Sequence, residues 1–175
     1  MTPRGRPPSG FAHYLRDMVF GALDGVITTM AVVAGVSGAN LGARVALILG
    51  VANLVGDGIS MGASNYLGLK SELEQTGADL RKEAPWRHGL ATIAAFVVVG
   101  AVPLLAYALP RPRGLSVLAL AGVLSFLVLA AIGAARAPFV GRPRGRSAAE
   151  MTSIGVLAGL AAYAAGAIAR NVAGG

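Results

Sequence analysis

The chain has 175 residues, of which 55% are hydrophobic and only 13% charged, with no cysteine and a formal net charge of +7. A soluble domain carries about 25% charged residues. The deficit, a mean hydropathy of +0.66 and several uncharged runs of about 20 residues point away from an ordinary soluble domain and towards an all-α membrane protein. The missing cysteines exclude disulfides, thiolate metal ligands and thiol catalysis. The arginines lie between apolar runs and form no basic stripe with interleaved aromatics, so nucleic acid is not an expected partner.

Residues 1–16 are polar and rich in Pro and Arg (Pro3, Arg4, Arg6, Pro7, Pro8). They are expected to form a disordered basic segment up to about Phe11, with Phe11, His13 and Tyr14 at the level of the lipid headgroups. The transmembrane domain is expected over 17–170. Its first span, about 18–37, has a positive start and a small-residue end, as a signal peptide does. It is too long for the apolar region of one and contains Asp24, so it reads as a retained transmembrane helix. The Gly21xxxGly25 pair beside Asp24 allows another helix to come close. Thr28, one turn on, either hydrogen-bonds the carboxylate or bonds back to its own helix.

The second span, about 45–69, is bounded by Arg44 and Lys70 and exceeds the roughly 20 residues needed to cross, so it tilts or projects beyond the membrane. The polar segment 70–89 follows. Part of it is expected to continue the second helix until Pro85, with Trp86 at the interface. Its Glu72, Glu74 and Glu83 are candidates for attracting cations from the cytosol. However, the i,i+2 spacing of Glu72 and Glu74 does not bring two carboxylates together on a helix, which favours a solvated face. The third span, about 90–109, is uncharged and carries Pro103, an expected kink. The short turn 110–114 makes it an antiparallel neighbour of the fourth span, about 115–135. A basic loop, 136–150, leads into the fifth span, about 151–169, which carries a Gly155xxxGly159 helix-contact pattern.

Five spans put the termini on opposite sides. Arginine and lysine cluster in the N-terminal segment (Arg4, Arg6, Arg16), in 70–89 (Lys70, Arg81, Lys82, Arg87) and in 136–150 (Arg136, Arg142, Arg144, Arg146). The opposite side has Arg44, Arg111, Arg113 and Arg170. The excess places the N-terminus in the cytoplasm.

The chemistry concentrates in the first two spans. On a helix, Asn53, Asp57, Ser60, Met61 and Ser64 fall at i, i+4, i+7, i+8 and i+11, one polar stripe. Asp24 and Asp57 are the acidic residues well inside apolar runs, and no Lys or Arg lies within a span to neutralise them. They are either protonated, as structural hydrogen-bonding groups between helices, or they share a cation. Two such residues in successive helices favour a pathway. Met61, one turn from Asp57, adds a thioether. That donor suits a transition metal, whereas Mg²⁺ and Ca²⁺ prefer oxygen alone. Asp24, Asp57 and Met61 are therefore the candidate metal ligands, with Thr28, Asn53, Ser60 and Ser64 as secondary polar lining. His13 and His88 lie outside the spans and read as interfacial packing. No nucleophile–base pairing is visible and no phosphate loop, so an enzyme is not expected. No resident cofactor is expected either.

At these residues the sequence resembles the vacuolar iron transporter family, which includes nodulin-21-like proteins. The matching segments are Asp24-Gly-Val-Ile-Thr-Thr-Met-Ala-Val-Val-Ala-Gly35 and Asn53-Leu-Val-Gly-Asp-Gly-Ile-Ser-Met-Gly62. A third comprises Pro85-Trp-Arg-His-Gly89, Ala95-Phe96, Gly100-Ala-Val-Pro-Leu-Leu105 and Tyr107. The resemblance implies a five-helix homodimer that moves Fe²⁺, and often Mn²⁺, out of the cytosol in exchange for protons. It implies a pathway near the dimer axis lined by the first two helices, with Asp24 and Met61 at the family's positions and Asp57 at one common in its microbial branch. The expected location is the cytoplasmic membrane of a bacterium. Many family members carry a long glutamate-rich domain between spans two and three. Here that segment is only residues 70–89. The rival readings are a cation channel or carrier of other selectivity, and a non-transporting membrane scaffold.

Overall fold

The computed structural model describes residues 11–110 and 113–174, with side chains from His13 onward. The described part of the chain is helical. In order, α1 spans Phe11–Gly38, α2 Ala43–Thr76, α3 Leu80–Glu83, α4 Pro85–Gly100, α5 Val117–Arg136 and α6 Arg144–Ala173. Two 3₁₀ segments, Val102–Tyr107 and Ala137–Val140, extend α4 and α5. Five of these units are long and apolar enough to cross a membrane: His13–Gly38, Ala43–Thr76, Leu80–Tyr107, Val117–Val140 and Arg144–Ala173.

Several boundaries depart from the sequence expectation. The disorder expected up to Phe11 falls on residues 1–10, outside the described residues. Residues 11–16 are already helical, because they hold neither Pro nor Gly and the first turns of α1 are tied to α4 through Asp17 and His88. α2, at 34 residues, is about 51 Å long against a hydrocarbon core of about 30 Å, so it projects well beyond the bilayer. It ends at Gly77, not at Pro85: Gly77 adopts a left-handed φ of 68° and its amide bonds the Glu74 carbonyl, the usual glycine stop. Pro85 instead opens α4 as its first residue, where the missing N–H costs nothing. Pro103 does not kink an α-helix. It starts a 3₁₀ segment after α4 has ended at Gly100. The basic loop expected over 136–150 is largely the first turns of α6, where Glu150 meets Arg142 at 3.0 Å and Arg136 at 3.8 Å.

The core explains the arrangement. α1 packs against α2, α4, α5 and α6. Its Val26 and Val33 are completely buried, and Met30, Val33 and Ala34 join Leu54, Phe96, Leu104, Ala106 and Ala121 in one cluster. The approach of α1 to α4 needs glycine on both sides. A Cβ on Gly25 would lie 2.5 Å from the Phe96 carbonyl oxygen, and one on Gly100 would lie 2.9 Å from the Gly25 backbone. The Gly21xxxGly25 pattern therefore finds its partner in α4. In α6 the expected Gly155xxxGly159 pair meets only side chains, Leu129 and Met30, while the close backbone approach to α1 falls to Gly166 against the Gly35 carbonyl.

Candidate functional site

α1 and α2 cross so that Asp24 and the Asp57 stripe share one groove of about 480 Å³, lined by Phe20, Asp24, Asp57, Ser60, Met61, Ser64 and Asn65. The helical period is the cause: Asp57, Met61 and Asn65 recur every fourth residue on α2, and Ser60 and Ser64 follow one row beside them. Met61 lies half-buried, one side on the core cluster and the other on the groove. Asp57, Ser60 and Ser64 are exposed in the single chain and Asp24 is half-buried. No Lys or Arg lines the groove, and among the described residues neither carboxylate takes a hydrogen bond or an ion pair.

Two of the expected lining residues lie elsewhere. Thr28 donates to the Asp24 backbone carbonyl at 2.9 Å, so of its two possible partners it takes its own helix rather than the carboxylate. Asn53 donates to the Thr28 hydroxyl at 3.3 Å. These two residues pin α1 to α2 at one end of the groove and do not line it. The polar segment also separates its three glutamates. Glu72 faces a second cavity of about 280 Å³. Glu74 pairs with Lys70 at 3.8 Å, and Glu83 lies 4.0 Å from the His13 ring.

The residues missed by sequence reasoning sit between the groove and this second cavity. Asn65 lines both. Its amide donates to Asp17 Oδ1 at 2.9 Å and to the Thr92 hydroxyl at 2.7 Å, joining α2 to α1 and α4. The signal was available: Asn65 continues the Asn53, Asp57, Met61 row by one more turn. His88 corrects the reading of both histidines as interfacial packing. It is buried, its Nδ1 lies 2.6 Å from Asp17 Oδ2, and its Nε2 lies 3.1 Å from His13 Nε2. These pairings join residues more than 70 positions apart, and no local spacing announces them. Asn65→Ala should lower stability by about 1–3 kcal/mol, because it strips a donor from a buried carboxylate. The exposed Ser64→Ala should stay within about 0.5 kcal/mol. Thermal unfolding in detergent compares the two.

As placed, no three His, Asp or Glu side chains among the described residues gather tightly enough to hold a metal ion. The groove instead offers two carboxylates, a thioether and two hydroxyls along an open face. Carboxylates beside a thioether are donors suited to a transition-metal cation, and carboxylates also take up protons.

A model described as the VIT family matches residues 15–84 and 75–167. The chain is similar to a vacuolar iron transporter of Toxoplasma gondii, 39% identical over 72 residues, which is 41% of this chain and 24% of that protein. Over 69 residues it is 38% identical to vacuolar iron transporter 1 of Eucalyptus grandis and 36% identical to vacuolar iron transporter 1 of Arabidopsis thaliana. In each case this is 39% of this chain and 28% of the relative. The matches thus span about a quarter of the length of these curated relatives. With the family match covering most of the bundle, including both helices of the groove, this integral membrane chain belongs to the VIT family.

Proposed function

We propose that the chain is a proton-coupled transporter that moves divalent transition metal, Fe²⁺ and also Mn²⁺, out of the cytosol, and is not an enzyme. The observation that carries the reading is the groove. Asp24, Asp57 and Met61 face one space at membrane depth, with no basic side chain to neutralise them. Carboxylates that bind a cation in one state and protons in another couple the two fluxes, and the thioether biases the site towards transition metals. The relatives named as vacuolar iron transporters support iron as cargo. The scaffold reading would need each aspartate hydrogen-bonded to a neighbour, and among the described residues neither carboxylate is so bonded.

The working unit is a homodimer in the cytoplasmic membrane of a bacterium, with the N-terminus in the cytoplasm. A charge at the bilayer centre costs about 2.5–3.5 kcal/mol on insertion scales, so the exposed Asp57 face is unsuited to lipid. A second copy facing it across a two-fold axis would enclose it. The excess of arginine and lysine supports the orientation.

Purified protein in liposomes with an imposed pH gradient should accumulate Fe²⁺ and Mn²⁺ when the trans side is acidic. Collapse of the gradient should slow uptake at least about tenfold, and Mg²⁺ should not move. Uptake that ignores the gradient removes the proton coupling, and Mg²⁺ moving as fast as Fe²⁺ favours a carrier of other selectivity.

A further inference from the structure

We propose that His13, His88 and Glu83 form a second divalent-metal site, for a borderline transition ion such as Co²⁺, Zn²⁺ or Fe²⁺, at the end of the bundle where α2 projects. Such a site needs neutral imidazole nitrogens aimed at one point, a carboxylate within reach, a group fixing the imidazole tautomer, and access from solvent.

The ring pair supplies the nitrogens: the two Nε2 atoms face each other in a hydrogen bond, whose proton a metal ion would displace. The two Nε2 atoms lie 3.1 Å apart, and the rings meet at 68° instead of lying in one plane. Two nitrogens at about 2.0–2.1 Å from one tetrahedral ion lie about 3.3–3.4 Å apart, so the pair opens by only a few tenths of an ångström. Glu83 supplies the third donor. Its Oε2 is 4.0 Å from His13 Nε2; as placed, the three side chains do not enclose an ion, and binding requires the half-exposed carboxylate to swing closer by a rotamer change.

Asp17 fixes the tautomer. It lies 2.6 Å from His88 Nδ1 and, as a carboxylate, accepts a hydrogen bond from it; in a neutral ring the lone pair then lies on Nε2, towards His13. Asp17 is in turn held by the Asn65 amide. This is the carboxylate–histidine–metal relay that orients ligands in established metal sites. It also accounts for a buried carboxylate and a buried histidine that the groove does not use.

Access follows from exposure. The side chains of His13 and Glu83 are 29% and 47% exposed, against 9% and 10% for His88 and Asp17. The site is thus open on one side and anchored on the other. The cavity beneath it is lined by His13, Arg16, Asp17, Glu72 and His88 and shares Ser64 and Asn65 with the groove. The cavity and the groove therefore adjoin at two polar residues. Placed there, the site would hand metal on to the groove. That role rests on the transport reading above, whereas the binding itself does not.

The chain has two histidines, and the groove has none, so imidazole coordination reports this site alone. The test titrates tag-free, full-length protein in detergent with Co²⁺ alone, reading nitrogen hyperfine couplings by pulsed EPR. The parent should show imidazole nitrogen on the metal. His13→Gln, a change at the partly exposed edge of the site, should reduce the coupling from two imidazole nitrogens to one at most and weaken Co²⁺ binding at this site more than tenfold. Glu83→Gln should weaken it severalfold with the nitrogen signal retained. Absence of nitrogen coupling in the parent, or equal affinity in His13→Gln, overturns the proposal. If the coupling behaves as expected while the parent moves no Fe²⁺ in liposomes, the metal site stands and the transport reading falls.

Discussion

Asp24→Asn should reduce Fe²⁺ and Mn²⁺ uptake into liposomes at least about tenfold, a loss typical even of groups one shell removed from a metal. The change keeps the size of the side chain and removes its charge, so a fall in uptake with unchanged thermal stability isolates the electrostatic role. Met61→Leu separates a second contribution. It conserves volume on the core side of the residue, where a cost below about 1.5 kcal/mol is expected, and deletes the soft donor on the groove side. Fe²⁺ uptake should drop while the ratio of Fe²⁺ to Mg²⁺ transport falls towards that of an all-oxygen site. Parental transport by Asp24→Asn, or an unchanged metal ratio in Met61→Leu, would show that the groove is not the pathway. The comparison is informative because both residues line one space although they come from different helices.

The second large effect is mechanical. Gly25→Ala places a methyl group 2.5 Å from the Phe96 carbonyl oxygen. The obstacle is backbone on a helix whose own Gly100 is pressed against Gly25, so no side chain can rotate away. α1 and α4 must separate, and both frame the site: α1 carries Asp17 and Asp24, while α4 carries His88. Overpacking of this kind costs about 1–3 kcal/mol when flexible neighbours yield, and a rigid backbone contact should lie at or above the top of that range. The expected result is a large drop in unfolding temperature in detergent together with loss of transport. Gly56→Ala, at a glycine where an added Cβ meets nothing within 4 Å, should be neutral or mildly stabilising through helix propensity. Equal behaviour of the two variants would remove the close-packing argument.

The candidate site divides by range. Asp57, Ser60, Met61 and Ser64 were legible because one helix period places them on one row, and Asn65 continues that row. Asp24 was legible because a carboxylate inside an apolar run must face something other than lipid. Asn53 and Thr28 misled because a hydrogen bond between them satisfies the polarity that spacing alone assigned to the groove. His13 and His88 were read as packing because each stands alone in its local sequence. Their significance lies in Asp17 and in each other: His13 and Asp17 share α1, and His88 reaches them from α4 only when the bundle folds.

Composition and hydropathy by themselves determined the membrane class, the five spans and the two-helix origin of the groove, because length, charge and helical period are local properties. Helix ends were less legible, since a left-handed Gly77 and the first-position role of Pro85 depend on how the chain turns between elements. The tertiary structure alone decided which glycines bring backbones together, that Thr28 bonds its own helix, and that Asp17, His88, His13 and Glu83 converge beside the groove. Each of these depends on the relative rotation and height of packed helices, and that is set by the whole core around Phe96 and Val33.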